Sequence, residues 1–146
     1  MNMIKKKARC ALPCQAVYEV VNDIDRYHYF LKGCRNSETL SIDGHEKTAR
    51  LTLGKGLIQH SFVTRNVLQK NKSMRLSLVE GPFQYFDGLW RFDALDSGGC
   101  VVHFELDFAF SNPLIGMAAK QLIYSVADHI VDAFIERAEV LHGKEG

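Results

Sequence analysis

The feature that most constrains the fold is a long, apolar-striped segment near the end of the chain, from Asn112-Pro113 to Gly143. Asn-Pro is a frequent start signal for a helix, and apolar residues recur behind it at the 3.6-residue spacing of a helix. They are Ile115, Ala119, Leu122, Ile123, Val126, Ile130, Ala133, Phe134 and Leu141. The spacing predicts one long helix whose apolar stripe must be buried against another layer of structure.

That second layer is indicated by strands of alternating polarity in the preceding part of the chain. In the last of these strands, one face carries Phe104, Leu106, Phe108 and Phe110, and the other carries His103, Glu105 and Asp107. In the strand before it, one face carries Phe86, Gly88, Trp90 and Phe92. Such alternation is typical of an antiparallel sheet with one face against the core and the other in water.

The remaining elements are separated by breaks that the sequence marks clearly. An alternating strand over 4–12 precedes a short amphipathic helix over 16–24 and a short aromatic segment over 27–31. Turn signals then follow at Asp43-Gly44, Gly54–Gly56, Asn71-Lys72, Gly81-Pro82 and Ser97–Gly99. The sequence therefore predicts the α+β class and the START-like helix-grip fold. In this fold a curved antiparallel β-sheet of about six to seven strands wraps around a long C-terminal α-helix, with one or two short helices after strand 1.

Composition bounds the size and the surroundings of this fold. A chain of 146 residues, 47% of them hydrophobic, is long enough for one sizeable core, so residues 1–146 are predicted to form a single domain. The net charge of +1 gives no general attraction to nucleic acid, and DNA is not an expected partner. No apolar signal segment follows Lys5-Lys6-Lys7, and no stretch is long enough to span a membrane, which predicts a cytoplasmic protein.

The four cysteines indicate neither a metal site nor a redox motif. Cys10, Cys14, Cys34 and Cys100 lack the paired spacing that zinc sites and dithiol motifs use. We therefore predict reduced thiols and no metal ligands.

Five segments resemble one known family. They are VNDIDRY over 21–27, SFVTRN over 61–66, GPF over 81–83, LWRF over 89–92 and AFIERA over 133–138. In this order, over nearly the whole chain, they are similar to the coenzyme Q-binding START-domain family of the polyketide cyclase/lipid transport-like superfamily. That family also includes ribosome association toxins of the RatA type. The chain departs from it at residues 27–34, where YHYFLKGC lacks both prolines and the tryptophan of the usual Tyr-Pro-x-Phe-Leu-Pro-Trp-Cys pattern.

The resemblance implies two functions that differ in kind. The first is binding of ubiquinone as a ligand, in support of cellular respiration, with no cofactor required. The alternative is a toxin of a toxin–antitoxin pair that binds the large ribosomal subunit and blocks subunit association. Because one fold can host both, each function has to be weighed on its own residues.

A ligand cavity is expected where the long helix crosses the curved sheet, since a gap there must be filled by large side chains or by a guest. The residues predicted to line it are Tyr27, Phe30, Phe62, Phe86, Trp90, Phe92, Phe104 and Phe108, with His60 and Thr64 as hydrogen-bond donors. A quinone needs flat apolar contacts and one or two donors for its carbonyl groups. The alternative interpretation is that these aromatic rings only pack as an ordinary core.

Catalysis is not expected, although polyketide cyclase-like enzymes share the implied superfamily. General acid–base chemistry needs titratable groups that converge in a pocket. Glu105 and Asp107 lie on the predicted wet face of their strand, and no nucleophile-elbow, phosphate-loop or zinc-protease motif is present. We predict a binding protein with no catalytic residues and keep a cyclase-like enzyme as the third alternative.

Two groups of basic residues are candidates for RNA contact. Lys5, Lys7 and Arg9 share a face of the first strand, and Arg65, Lys70, Lys72 and Arg75 surround a predicted hairpin. Phosphate contacts supply most sequence-independent affinity for RNA. The alternative is that both groups are solvated edges that prevent strand pairing.

The predicted start of the long helix also offers an apolar lip over 113–117, with Leu114 and Ile115. Such a lip favours transient membrane contact, peripheral to the inner membrane. It is equally typical of a helix end packed on a sheet. The sequence leaves the oligomeric state open.

Overall fold

The structure, a computed structural model, describes residues 2–142. Seven strands and three helices follow one another along this described part of the chain. They are β1 (Asn2–Cys10), α1 (Cys14–Asn22), α2 (Tyr27–Phe30), β2 (Cys34–Asp43), β3 (Glu46–Lys55), β4 (Ile58–Gln69), β5 (Ser73–Glu80), β6 (Phe83–Ala94), β7 (Cys100–Phe110) and α3 (Gly116–His142). Short 3-10 turns at Ile24–Arg26 and Pro113–Ile115 precede α2 and α3.

The strands form one antiparallel sheet in the order β1-β7-β6-β5-β4-β3-β2. Consecutive hairpins build β2 to β7, because the tight turns contain residues that tolerate positive φ, including Gly44 at 60° and Asn71 at 63°. Register shifts in β2, β4 and β6 add bulges, which bend a sheet and increase its twist. The curved antiparallel sheet that the sequence predicts is thereby confirmed.

The core lies between the inner face of this sheet and α3. The largest fully buried side chains include Trp90 on β6, Phe108 on β7 and Phe134 on α3. Their burial follows from the two periodicities read in the sequence, alternate residues on the strands and every third or fourth residue on the helix. The α1 helix packs beside α3 and covers one end of β6 and β7.

The start of the long helix differs from the prediction. Residues Pro113–Ile115 form a separate 3-10 turn, in which the Asn112 side chain accepts a hydrogen bond of 2.9 Å from the Leu114 N–H. Gly116 then adopts a φ of 90°, which ends that turn and separates it from α3. The predicted helix end at Gly143 lies outside the described residues.

Two smaller boundaries also shift. The first strand is displaced toward the N-terminus relative to the predicted range 4–12, since α1 already begins at Cys14. The aromatic segment predicted over 27–31 forms the short helix α2 (Tyr27–Phe30), and β2 begins soon after it, at Cys34. Within residues 2–142, no helix is long and apolar enough to cross a membrane.

Candidate functional site

An apolar cavity of about 70 Å³ lies between the inner face of the sheet and α3. Ile123, Val126, Ala127 and Ile130 of α3 form one wall. The sheet wall and the α2 end consist of Ile24, Tyr27, Leu31, Ala49, Leu51, Leu53, Phe62, Thr64, Asn66, Leu76, Phe86, Trp90, Phe104 and Leu106. No residue that lines the cavity carries a formal charge, which suits an uncharged, apolar guest.

Most of the predicted cavity residues meet at this site. The structure places Tyr27, Phe62, Thr64, Phe86, Trp90 and Phe104 against the cavity. It places Phe30, His60, Phe92 and Phe108 elsewhere. The donor role predicted for His60 thus has no support in the geometry, because this half-buried side chain lies near the start of β4, outside the cavity wall.

The other three aromatic residues pack against elements that cover the ends of the sheet. Phe92 meets the Tyr18 ring of α1 with centroids 6.0 Å apart, and Phe108 meets the Tyr124 ring of α3 at 5.9 Å. Phe30 packs edge-on against the Phe134 ring of α3 with centroids 5.1 Å apart, and the Arg137 guanidinium carbon lies 5.4 Å from its ring centroid. These rings fill space, as an ordinary core requires.

An aromatic cluster centred on Phe134 of α3 supports two residues of the cavity wall, Tyr27 and Trp90. Its ring centroid lies 4.9 Å from that of Tyr27 and 4.8 Å from that of Trp90. The Tyr27 hydroxyl donates a hydrogen bond to the Val21 carbonyl. Burial raises the pKa of Tyr27, so its hydroxyl stays protonated and committed to this bond. The close ring contacts hold Trp90 in a fixed orientation.

Two polar residues of β4 interrupt the apolar wall. The side chains of Thr64 and Asn66 are 3% and 4% exposed, and the Thr64 hydroxyl donates a 2.7 Å hydrogen bond to Asn66 Oδ1. Sequence reasoning missed Asn66, although strand alternation places it on the same face as Phe62 and Thr64. That alternation was the available signal.

Two glycines lie so close to cavity-lining side chains that a Cβ would have no room there. Gly88 on β6 pairs with Leu76 on β5, and a Cβ at position 88 would lie 2.8 Å from Leu76 Cδ1. Gly33, at a φ of 93°, leaves room for Val126 of α3, whose Cγ2 would lie 2.7 Å from a Cβ there. The segment in which this chain departs from the family pattern therefore packs closely against α3.

Burial makes Cys34 and Cys100 poor nucleophiles. All four are free thiols, and burial raises the pKa of Cys34 to about 11 and also raises that of Cys100. A thiol with a raised pKa is rarely in the nucleophilic thiolate form near neutral pH. No group of three or more His, Cys, Asp or Glu side chains within residues 2–142 is arranged to hold a metal ion.

The basic residues predicted to contact RNA divide into two sets. Lys5 and Arg65 each approach a carboxylate, of Glu105 and Glu46 respectively, at 3.8 Å. The remaining ones make no ion pair with another described residue, and they are Lys7, Arg9, Lys70, Lys72 and Arg75. Lys70 and Lys72 border an open surface cleft between the β4–β5 turn and the start of α1, together with Arg91.

The predicted apolar lip is exposed. Leu114 is 88% exposed and Met117 is 73% exposed. The β3–β4 turn carries the fully exposed Leu57, and its neighbours Lys55 and Ile58 line a surface depression together with Ala118 of α3. These three large apolar side chains therefore stand at the same end of the molecule.

A curved antiparallel sheet that holds a long helix across an apolar cavity defines a protein of the START-like, helix-grip class. The chain belongs to the family described as polyketide cyclase / dehydrase and lipid transport, which it matches over residues 10–135. Both findings confirm the family that the sequence motifs indicate.

Two relatives of the chain carry names of different kinds. The chain is 36% identical to the ribosome association toxin RatA of Pseudomonas aeruginosa, over 96% of this chain and 97% of that protein. It is 27% identical to the mitochondrial coenzyme Q-binding protein COQ10 of Dictyostelium discoideum, over 90% of this chain and 66% of that protein. A ribosome association toxin and a coenzyme Q-binding protein therefore both occur among its relatives.

Solved structures agree with the fold. The protein TTHA0849 from Thermus thermophilus superposes with a TM-score of 0.82 over 97% of this chain and 99% of its own, at 16% identity. The Zhui aromatase/cyclase from Streptomyces sp. R1128 superposes with a TM-score of 0.79 over 94% of this chain and 93% of its own, at 18% identity. At these identities the likeness concerns the fold alone.

Proposed function

We propose that this protein is a non-enzymatic binding protein that holds an uncharged, ring-bearing lipid, an isoprenoid quinone such as ubiquinone, between the sheet and α3. The observation that carries this proposal is the cavity itself, whose wall is apolar and aromatic and carries no formal charge. A flat ring gains contact area and favourable ring geometry against Trp90, Phe86 and Phe104. The resemblance to a coenzyme Q-binding protein supports the same ligand class.

The size of the cavity sets a condition on binding. At about 70 Å³ it is smaller than the roughly 300–1,000 Å³ of typical ligand pockets. A quinone ring therefore enters only if α3 moves outward together with its cavity-lining side chains Ile123 and Ile130. The isoprenoid tail then extends beyond the cavity. Binding that requires such a movement is slow relative to simple diffusional encounter.

The test is organic extraction and mass spectrometry of the protein purified from a quinone-producing host. Trp90→Ala and Phe110→Ala are prepared identically, because both remove a large aromatic ring from the sheet and only Trp90 lines the cavity. A stoichiometric quinone in the wild type and in Phe110→Ala, lost in Trp90→Ala, is the expected result. A well-folded wild type that carries no lipid, and that takes up none when incubated with ubiquinone, contradicts the proposal.

The second candidate is a RatA-type function, binding to the large ribosomal subunit and blocking subunit association. It is favoured by the 36% identity to RatA over nearly the whole chain and by the unpaired lysines of the β4–β5 cleft. Lys70→Glu/Lys72→Glu replaces two positive charges in that cleft, and Lys32→Glu/Lys55→Glu makes the same change at exposed positions elsewhere. Co-sedimentation with the large subunit that weakens with salt and is lost only in the first variant supports this candidate. No co-sedimentation at low or moderate salt contradicts it.

Loading of a lipid ligand requires contact with a membrane surface, and the exposed side chains of Leu57, Leu114 and Met117 provide an apolar contact for it. The proposal accordingly includes transient binding at the inner membrane by an otherwise cytoplasmic protein. Three apolar side chains are too few for stable anchoring, so release after loading is expected.

A further inference from the structure

Asn66 is the most unusual residue of the cavity wall. It belongs to the inner face of β4, where its cross-strand neighbour on β5 is Leu76, and only 4% of its surface is exposed. Asparagine is among the residues that are mostly exposed in folded proteins. Burial of an amide against an apolar wall costs free energy unless its polar atoms find partners.

The hydrogen bonds of this side chain are only half accounted for. An asparagine amide has an acceptor oxygen and two N–H donors. The oxygen is engaged, because the Thr64 hydroxyl donates to Oδ1 at 2.7 Å. The amide nitrogen makes no hydrogen bond to any residue within the described part of the chain. Since buried polar groups are nearly always hydrogen-bonded, the two N–H groups call for an acceptor from outside the protein.

The neighbouring groups do not compete for this role. The Thr64 proton is committed to Asn66, and the Tyr27 hydroxyl donates to the Val21 carbonyl. Neither is free to donate to a guest. Because the Thr64 hydroxyl occupies Oδ1 and Asn66 lines the cavity, the amide nitrogen is the end of the side chain that is left for a guest.

We propose that Asn66, oriented by Thr64, is the donor that recognises an acceptor oxygen on the ligand. The cavity thereby selects rings that carry a carbonyl or ether oxygen over hydrocarbons of the same shape. An anionic ligand is disfavoured, because no cationic side chain lines the cavity to balance a carboxylate. This inference rests on the proposed function, the binding of an uncharged lipid in the same cavity.

The experiment measures how two probes partition between phosphatidylcholine vesicles and the protein. Decylubiquinone carries ring oxygens, whereas decylbenzene has the same tail on a bare ring. Vesicles loaded with either probe are incubated with the protein and sedimented, and the probe left with the protein is quantified by mass spectrometry. Asn66→Leu replaces the amide with an apolar group of similar size, and Thr64→Val removes the hydroxyl that orients the amide.

Asn66→Leu is expected to lower uptake of decylubiquinone about tenfold, the effect of losing one buried hydrogen bond. Uptake of decylbenzene is expected to stay equal or to rise. Thr64→Val is expected to lower uptake of decylubiquinone by about threefold, and it keeps the inference testable if Asn66→Leu fails to fold.

Two outcomes overturn the inference, and they are distinguishable. If the wild type takes up neither probe, the proposed function fails and the role of Asn66 fails with it. If the wild type takes up decylubiquinone and both variants match it, the cavity binds the ligand but Asn66 does not recognise it.

Discussion

The ring of Phe134 on α3 packs against the indole of Trp90 on β6, with centroids 4.8 Å apart, and no part of the Phe134 side chain reaches solvent. The same ring contacts Tyr27 of α2 at 4.9 Å. Phe134 of α3 therefore contacts both α2 and β6, at two residues that line the cavity. The contact joins a fully buried side chain of α3 to Trp90, the only tryptophan in the sequence.

Replacement of Phe134 by alanine should lower the free energy of unfolding by about 3–5 kcal/mol, the usual cost of removing a buried aromatic ring. Denaturant unfolding measures this change, and the fluorescence of Trp90 reports the altered surroundings. Phe110→Ala is the matched control, because Phe110 is only half-buried and stacks on Phe83 of the sheet. Equal losses of unfolding free energy in the two variants would show that Phe134 contributes no more to stability than a half-buried aromatic ring.

A methyl group added at Gly88 should displace Leu76, which lines the cavity. The new Cβ would lie 2.8 Å from Leu76 Cδ1 and 3.2 Å from its Cβ, so the leucine must shift. We expect Gly88→Ala to cost about 1–3 kcal/mol, as overpacking does, and to reduce uptake of decylubiquinone. In a double-mutant cycle, Leu76→Ala should relieve the added cost of Gly88→Ala. Strictly additive losses in unfolding free energy would contradict this coupling.

The sequence predicts the faces of the strands better than it predicts which part of a face lies under the helix. Alternation correctly assigns Trp90 and Phe92 to the inner face on β6. It does the same for Phe104 and Phe108 on β7. Only Trp90 and Phe104 reach the cavity, because α1 covers one end of the sheet and the first turns of α3 cover the other. That coverage depends on how α1 and α3 pack, which no local pattern encodes.

Two positions are not singled out by the sequence pattern, although the structure gives each a special role. Asn66 has the hydropathy of a surface residue. It is nevertheless buried, because the Thr64 hydroxyl donates a hydrogen bond to its oxygen and its side chain lines the cavity. Gly116 has the character of a tolerated glycine within a helical pattern, whereas its φ of 90° separates the Pro113–Ile115 turn from α3. Hydropathy records side-chain type alone, whereas the burial of Asn66 depends on the helix that covers its strand, and the break at Gly116 depends on its backbone angle.

Exchange of a lipid between vesicles and the protein should depend on the exposed apolar end. Leu114→Ser/Met117→Ser should slow transfer of decylubiquinone from vesicles by several-fold while leaving the equilibrium uptake unchanged, because neither residue lines the cavity. Stopped-flow fluorescence of Trp90, quenched by the incoming quinone, follows the rate. Val140→Ser/Leu141→Ser removes two comparably apolar, exposed side chains from the other end of α3 and serves as the control. Identical rates in both variants would exclude a role for this end in loading.

The buried thiol of Cys34 makes stability sensitive to alkaline pH. Burial raises the pKa of Cys34 to about 11, above the 9.0 of an unperturbed thiol. Between these values the unfolded chain has lost the thiol proton and the folded chain has kept it, so stability is fully present below pH 9 and falls as the pH rises toward 11. The contribution is at most about 1.4 kcal/mol per pH unit.

Denaturant unfolding of the wild type and of Cys34→Ala at several pH values between those two pKa values isolates this contribution, because the other buried thiols are common to both proteins. The free energy of unfolding should fall more steeply with pH in the wild type than in the variant. Equal slopes would mean that the thiol ionises as readily in the folded chain as in the unfolded one, and that the start of β2 is more open to water than its burial indicates.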